Sequence, residues 1–294
     1  MSTGEPPAVA RRRVRLALRA AREAAGFTQG FVAEELDWSI SKVNRIEKGD
    51  VTVSRTDLLA LLELLGVTDQ ELVDDLVLAA RTSRQRGWWD DPHYREHLTP
   101  AMLQMLQFES EASAVRYFHP TLVPGILQTP AYARFIMDFW RSDMREEDRQ
   151  ARYEVRQRRR EQALGKPDSP DYFFILDESV LYRELGGAQV MADQLHQLLR
   201  YMNDPHVHIR VATFAEVAPI ALLGPFAIFD LGDEENAVLY WESIFADEIV
   251  SSPAIAHRHR EYFENMWSKT LDEQATGRLL ESKAAALIAS LDRK

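Results

Sequence analysis

The chain contains no cysteine, which excludes disulfides, thiolate metal sites and cysteine nucleophiles. It has no run of about 18 apolar residues, the length a bilayer-spanning helix needs, so no membrane span is expected. Its start, Met1 to Arg13, carries arginines with no apolar stretch behind them and does not read as a secretory signal. The cytoplasm is the expected location. Catalytic motifs are equally scarce: there is no glycine-rich phosphate loop, no Gly-x-Ser-x-Gly elbow, no zinc-protease helix and no acid pair in a recognisable setting. Gly186-Gly187 reads only as a turn between helices. No enzyme, catalytic residue, metal or cofactor is therefore expected, and no repeat of roughly 20–50 residues is visible.

What is present is a globular composition, 46% hydrophobic and 28% charged over 294 residues, a length that suits about two domains of ~100–200 residues. The net charge of −11 is unevenly spread. Residues 11–48 hold nine Lys/Arg against five Asp/Glu, a local charge of +4, whereas residues 85–294 carry −10. A positive patch at the front can attract phosphates while the acidic remainder opposes indiscriminate adhesion to nucleic acid.

Residues 28–49 carry the strongest pattern. Val32, Leu36, Val43 and Ile46 recur at the spacing that buries one side of two short helices. Ala33 is small where the helices would cross. Thr28 and Ser39 each stand where a side-chain oxygen caps a helix start. Residues 1–10 are expected to be disordered. A first helix, Val14 to Ala25, is expected to turn Leu16, Leu18 and Ala21 inward and arginines 12, 15, 19 and 22 outward, with Gly26 stopping it. Ser54 is expected to cap a fourth helix and Thr68 a fifth, the latter facing Leu72, Leu76 and Val77 inward. This makes a five-helix domain over residues 11–84. Ser39, Ser41, Lys42, Asn44 and Arg45 remain for the outer face of the third helix, chemically able to bond phosphates and base edges.

Thr28-Gln29, Ala33, Ser39 and Arg45-Ile46-Glu47-x-Gly49 together resemble the Cro/cI (Xre-type) helix-turn-helix family over about residues 12–80. Asp37 stands where that family often has glycine at the turn, and Asp tolerates the left-handed conformation at modest cost. The resemblance implies that Gln29 and Ser39 clamp phosphates. It implies that Ile40, Ser41, Lys42 and Arg45 face the major groove of an operator, with Arg45 the candidate for a guanine. Glu47 is expected to bond an arginine of the first helix instead of DNA.

Residues 85–294 read as an α+β domain with a small, antiparallel sheet. Helices are expected over Pro92–Leu106, Glu109–Tyr117, Ala131–Trp140, Glu146–Leu164, Glu178–Leu185, Met191–Met202, Pro253–Thr270 and Glu273–Leu291. Strands are expected at Tyr172–Leu176, Val207–Phe214, Pro225–Leu231 and Ala237–Glu242, the last two forming a hairpin about the Gly232–Asn236 turn. Pro120–Pro130 reads as an apolar loop. His93 and His97 have a metal-ligand spacing beside Asp91 but no strong third ligand. The pairs His206/His208 and His257/His259 read as solvent or edge histidines. Arg156, Arg158, Arg159 and Arg160 suit either a phosphate-bearing ligand or a solvated face paired with Glu154 and Glu161; the solvated face is the expectation. The aromatics Trp88, Trp89, Tyr94, Tyr117, Phe118, Trp140, Tyr240 and Trp241, with Leu122–Leu127, suit either core or an effector pocket, and core is the expectation.

Trp88-Trp89, Leu122-Val123-Pro124-Gly125-Ile126-Leu127-Gln128-Thr129-Pro130, Arg156-Gln157-x-Arg159, Leu176-Asp177-Glu178 and Tyr240-x-Glu242 are similar to the C-terminal domain of actinobacterial, antitoxin-like Xre-type regulators. That resemblance implies a small partner protein. The expected function is a sequence-specific transcriptional regulator acting on a double-stranded DNA operator. Its C-terminal domain is expected to dimerise, since one short helix reads only a few base pairs, and to bind a partner protein or a small-molecule effector. The alternatives are an antitoxin-like module that neutralises a small partner, and a ligand sensor.

Overall fold

The computed structural model describes residues 7–166, 169–215, 223–232, 237–242, 247–250 and 252–291. The chain divides into two compact units, residues 1–90 and 91–294.

The first unit is five helices: α1 (Pro7–Ala24), α2 (Gln29–Glu35), α3 (Ile40–Lys48), α4 (Arg55–Leu64) and α5 (Gln70–Thr82). Their core joins Ala10, Val14 and Leu18 of α1 to Val32 and Ala33, Val43 and Ile46, Leu58, Leu61 and Leu62, and Leu76, Ala79 and Ala80. The steps of four in α1 fix its rotation, and two expectations change with it. Leu16 faces solvent, and Arg12 and Arg15 are buried. Arg15 can be buried because its guanidinium donates to the Lys48 carbonyl at 3.2 Å, at the negative end of α3. Burial, with Arg12 and Arg19 nearby, lowers the Arg15 pKa to about 10. The first helix also begins earlier than expected, at Pro7, because Val9 and Ala10 pack inward. Residues 1–6 of the segment expected to be disordered lie outside the described residues.

Every later helix start in this unit is capped. Thr28 accepts from the Phe31 amide, Ser39 from Lys42 and Ser54 from Asp57. The fifth cap is Asp69, not Thr68: its carboxylate accepts from the Glu71 and Leu72 amides. That shift turns Leu72 outward.

Helix α2 ends in a Schellman turn. The Asp37 amide donates to the Glu34 carbonyl at 3.2 Å and the Trp38 amide to Ala33 at 2.8 Å. Asp37 sits at φ 53°, the one non-glycine with positive φ among the described residues.

The second unit is built on a six-stranded sheet: β1 (Ala114–His119), β2 (Asp171–Asp177), β3 (Val207–Ala212), β4 (Phe226–Asp230), β5 (Val238–Trp241) and β6 (Glu248–Val250). The strand order is β3-β2-β1-β4-β5-β6. The sheet is mixed, which corrects the antiparallel expectation. β1–β2 and β2–β3 pair in parallel, because helices α8 (Pro130–Phe139), α9 (Glu146–Ala163) and α10 (Ala188–Tyr201) carry the chain back between them. The remaining pairs are antiparallel, including the expected β4–β5 hairpin; residues 233–236 of its turn lie outside the described residues.

Central strand β1 replaces part of an expected helix. Before it run α6 (Pro92–Arg95) and α7 (Pro100–Glu111), and after the sheet α11 (Pro253–Trp267) and α12 (Glu273–Leu291). One face of the sheet, with Phe118, Ile175, Phe226, Ile228 and Leu239, packs on Phe263 and Met266 of α11. The other carries Tyr117, Tyr172, Phe174 and Phe229, with Tyr117 and Phe174 stacked at 5.4 Å and Phe108 of α7 near Phe229. The apolar Leu122–Leu127 segment packs into the core, as expected: Val123, Ile126 and Leu127 are fully buried.

The strain at Asp37 makes a prediction. Asp37→Gly is expected to raise the unfolding free energy of the first unit by roughly 0.5–1 kcal/mol, seen as a higher urea midpoint of its transition in the full chain; a lower midpoint would show that the aspartate side chain stabilises the turn.

Candidate nucleic-acid interface

The outer face of α3 is held by a network on its inner face. Glu47 receives two bonds from Arg22 of α1, Nε at 2.6 Å and Nη2 at 3.0 Å, and a third from Gln29 Nε2 of α2 at 2.8 Å. The Arg22 and Glu47 side chains are only 12% and 9% exposed. The bond to Glu47 is the largest cause of the raised Arg22 pKa. Arg22 Nη1 also donates to the Phe27 carbonyl at 2.8 Å. Asn44 Nδ2 closes the chain by donating to Gln29 Oε1 at 3.3 Å. The expected bond from Glu47 to a first-helix arginine is thus present, and three helices meet on one carboxylate.

The seven residues singled out in the sequence divide by this geometry. Gln29 and Asn44 are half-buried struts whose amides bond each other. Lys42 is also engaged: its Nζ lies 2.9 Å from Asp57 Oδ1 of α4 and 3.6 Å from the centroid of the Trp38 ring. Ser39 is exposed and its oxygen serves as the α3 cap, accepting from the Lys42 amide. Ile40, Ser41 and Arg45 are exposed, Ile40 by 60%. No side-chain hydrogen bond or ion pair involves Ser41 or Arg45 among the described residues. At the start of α3 the amides of Ile40 and Ser41 precede the capped Lys42 amide, so they stay available to an anion.

Two residues escaped the sequence reading. Trp38 supplies the platform under Lys42, and Asp57 its counter-ion. The i, i+4 spacing of Trp38 and Lys42 carried the first signal; Asp57 lies across a turn and left no local one. Arg55 at the start of α4 is likewise exposed.

Elsewhere, the two histidines with metal-ligand spacing each meet a carboxylate. His93 Nε2 meets Glu154 at 2.6 Å and His97 Nδ1 meets Asp148 at 2.9 Å, both on α9. Among the described residues no group of three or more His, Asp or Glu is arranged to hold a metal. His259 is buried, contrary to expectation, because α11 turns it toward Phe226 and Trp241 and its Nδ1 reaches the Ile255 carbonyl at 2.9 Å.

The arginines of α9 are not a solvated face paired with Glu154 and Glu161. Arg159 is buried in a bidentate pair with Glu109 at 2.7 Å for both bonds, and it donates to the Tyr117 hydroxyl at 2.8 Å. Arg160 donates to the Gln128 carbonyl at 3.2 Å. The helix lies against the sheet, so an arginine at its inner face must be neutralised inside.

Removing the hub carboxylate is expected to be costly. Glu47→Ala leaves Arg22 without its main counter-charge and should destabilise the first unit by about 3 kcal/mol, whereas Arg45→Ala should change stability by less than about 0.5 kcal/mol. Thermal unfolding of the two variants checks the contrast.

A family model for a helix-turn-helix domain matches residues 14–76, which covers α2, the turn and α3. A second, for a domain of unknown function (DUF5753), matches residues 102–282, from α7 into α12. No curated protein matches the chain, nor does any solved structure.

Proposed function

The chain belongs to the DUF5753 family, and we propose that it is a sequence-specific transcriptional regulator of the Cro/cI (Xre) type, in which α3 enters the major groove of an operator. A helix-turn-helix domain makes DNA its partner, and no helix among the described residues is long and apolar enough to cross a membrane. We place it in the cytoplasm and read it as a regulator and not an enzyme.

The observation that carries this reading is Arg45. It lies on the outward face of a helix fixed from within by Glu47, and no intramolecular partner competes for its guanidinium among the described residues. Bidentate bonding of such an arginine to guanine O6 and N7 contributes about 1–3 kcal/mol of base discrimination. Ile40, exposed at the tip of the same helix, offers an apolar contact to a thymine methyl. Ser39, Ser41 and the first amides of α3 take phosphates. Gln29 and Asn44 act mainly by holding α3, and Lys42 reaches DNA by exchanging Asp57 for a phosphate.

One short helix specifies few base pairs, so the functional species is a homodimer on a pseudo-palindrome, with recognition helices ~34 Å apart. The second unit supplies dimerisation and the signal, as the antitoxin-like actinobacterial regulators it resembles suggest. A protein partner is favoured by α8, which exposes Phe135 and Phe139, the latter by 74%, beside Trp140.

The test is binding to the DNA upstream of the chain's own gene against scrambled DNA across a salt series. Wild type is expected to prefer the upstream DNA. Arg45→Ala should lose about 10–100-fold on that DNA and little on scrambled DNA. Lys42→Ala should weaken both alike. If wild type binds both DNAs equally, or Arg45→Ala keeps the preference, α3 is not the reading element.

A further inference from the structure

We propose that the second unit holds an anion-binding site beyond the carboxyl ends of its parallel strands, where Arg152 and Arg156 of α9 and the Nε2–H of His119 take a carboxylate or phosphate group. This goes beyond the DNA reading and does not depend on it; it gives the effector of the regulatory domain a chemical class.

Topology singles out the place. β2 and β3 lie to one side of β1, and β4, β5 and β6 to the other, so the strand order reverses at β1. Open sheets with parallel strands bind ligands outside the carboxyl ends at such a reversal. His119 is the last residue of β1, and Glu242 directly follows β5, which runs in the same direction because two antiparallel steps separate them.

Charge accounting along α9 identifies the groups. Arg149 is matched by Asp138 and Glu146, and Arg159 by Glu109. Arg152 and Arg156 lie between them, one turn apart, and among the described residues neither has a carboxylate within ion-pair distance. The Nε of each is buried without a hydrogen-bond partner. Arg156 Nη1 is left to the Arg152 carbonyl at 3.0 Å and the Met137 sulfur at 3.7 Å. Two half-buried guanidiniums that repel each other, inside a region carrying −10 overall, are costly unless an anion joins them. Burial accordingly lowers the Arg156 pKa to about 10, partly opposed by Glu242 and reinforced by Arg159 and Arg152.

The loop above lies on Arg156 and its buried neighbour Arg159. A Cβ on Gly125 would stand 3.4 Å from Arg156 Nε and 3.7 Å from Arg159 Nη1, so glycine lets the Pro124–Leu127 backbone lie on the guanidiniums. His119 is oriented by its own backbone: Nδ1 accepts from the Thr121 and Leu122 amides at 3.3 and 3.0 Å. The ring proton is therefore on Nε2, which faces the Glu242 carboxylate at 3.9 Å. Burial lowers the His119 pKa, with Glu242 acting against it, so near neutrality the ring is an uncharged donor. Glu242 is half-exposed at the rim. It acts on both Arg156 and His119, opposes a bare anion, and can accept a bond from a hydroxyl of the ligand.

The experiment is calorimetric titration of the full chain with inorganic phosphate and with succinate, each at constant ionic strength against chloride. One saturable site per chain is expected. Arg156→Gln and Arg152→Gln should each weaken it roughly tenfold, Glu242→Gln should tighten it several-fold by removing a like charge, and Arg45→Ala should leave it unchanged. Preference for phosphate points to a phosphoryl ligand and preference for succinate to a carboxylate ligand; both support the site. Glu242→Gln keeps the test decisive if an arginine variant fails to fold. No saturable binding of either anion, or an affinity unmoved in Arg152→Gln, Arg156→Gln and Glu242→Gln, overturns the proposal. Loss of phosphate binding in Arg45→Ala would assign the anion to the DNA-facing helix and overturn it as well.

Discussion

The first unit depends on the Glu47 carboxylate. It lies on the buried side of α3, receives Nε and Nη2 of Arg22 from α1 and the amide of Gln29 from α2, and so ties three helices at one point. A nearly buried ion pair contributes little net stability, but the loss of one partner is severe. Its value here is positional. With the inner face of α3 occupied by Glu47, Val43 and Ile46, the rotation of the helix is set, and Ile40, Ser41 and Arg45 have only the outer face left. A surface that discriminates bases must be held within fractions of an ångström; in the proposed function this carboxylate holds the face that carries Ile40, Ser41 and Arg45.

The helix-turn-helix was legible because its signals are local. Caps at Thr28, Ser39 and Ser54, apolar steps of three and four, and Ala33 at the crossing all act over less than one turn. Asp37 was legible for the same reason, since the turn demands a left-handed residue and aspartate accepts it. The fifth cap moved by one position because Thr68 and Asp69 both suit the role and packing of Leu76 and Ala79 chose between them. Arg12 and Arg15 were misjudged because arginine normally faces water; the carbonyl of Lys48, thirty-three residues away, is what lets Arg15 turn inward.

The second unit was less legible because its organisation is non-local. β1 is six residues long and pairs with β2 and β4, far along the chain, and Glu109 to Ser113 before it favours helix. The hairpin of β4 and β5 was visible through its turn, which biased the whole sheet toward an antiparallel reading. The arginines of α9 illustrate the same difficulty: their spacing with Glu154 and Glu161 suits an exposed helix, yet Arg159 finds Glu109 fifty residues upstream. Among the seven residues of the candidate DNA surface, the sequence could not separate Arg45 from Lys42 and Asn44, because partners such as Asp57 and Gln29 become neighbours only in the fold.

The proposed function rests on Arg45 bonding a guanine edge in the major groove. The most direct measurement is methylation interference: operator DNA methylated at guanine N7 is partitioned into bound and free fractions with wild type and with Arg45→Ala. Methylation of one guanine per half-site is expected to exclude DNA from the wild-type complex and to have no effect at that guanine for the variant. Wild-type binding indifferent to N7 methylation throughout the protected sequence would contradict it.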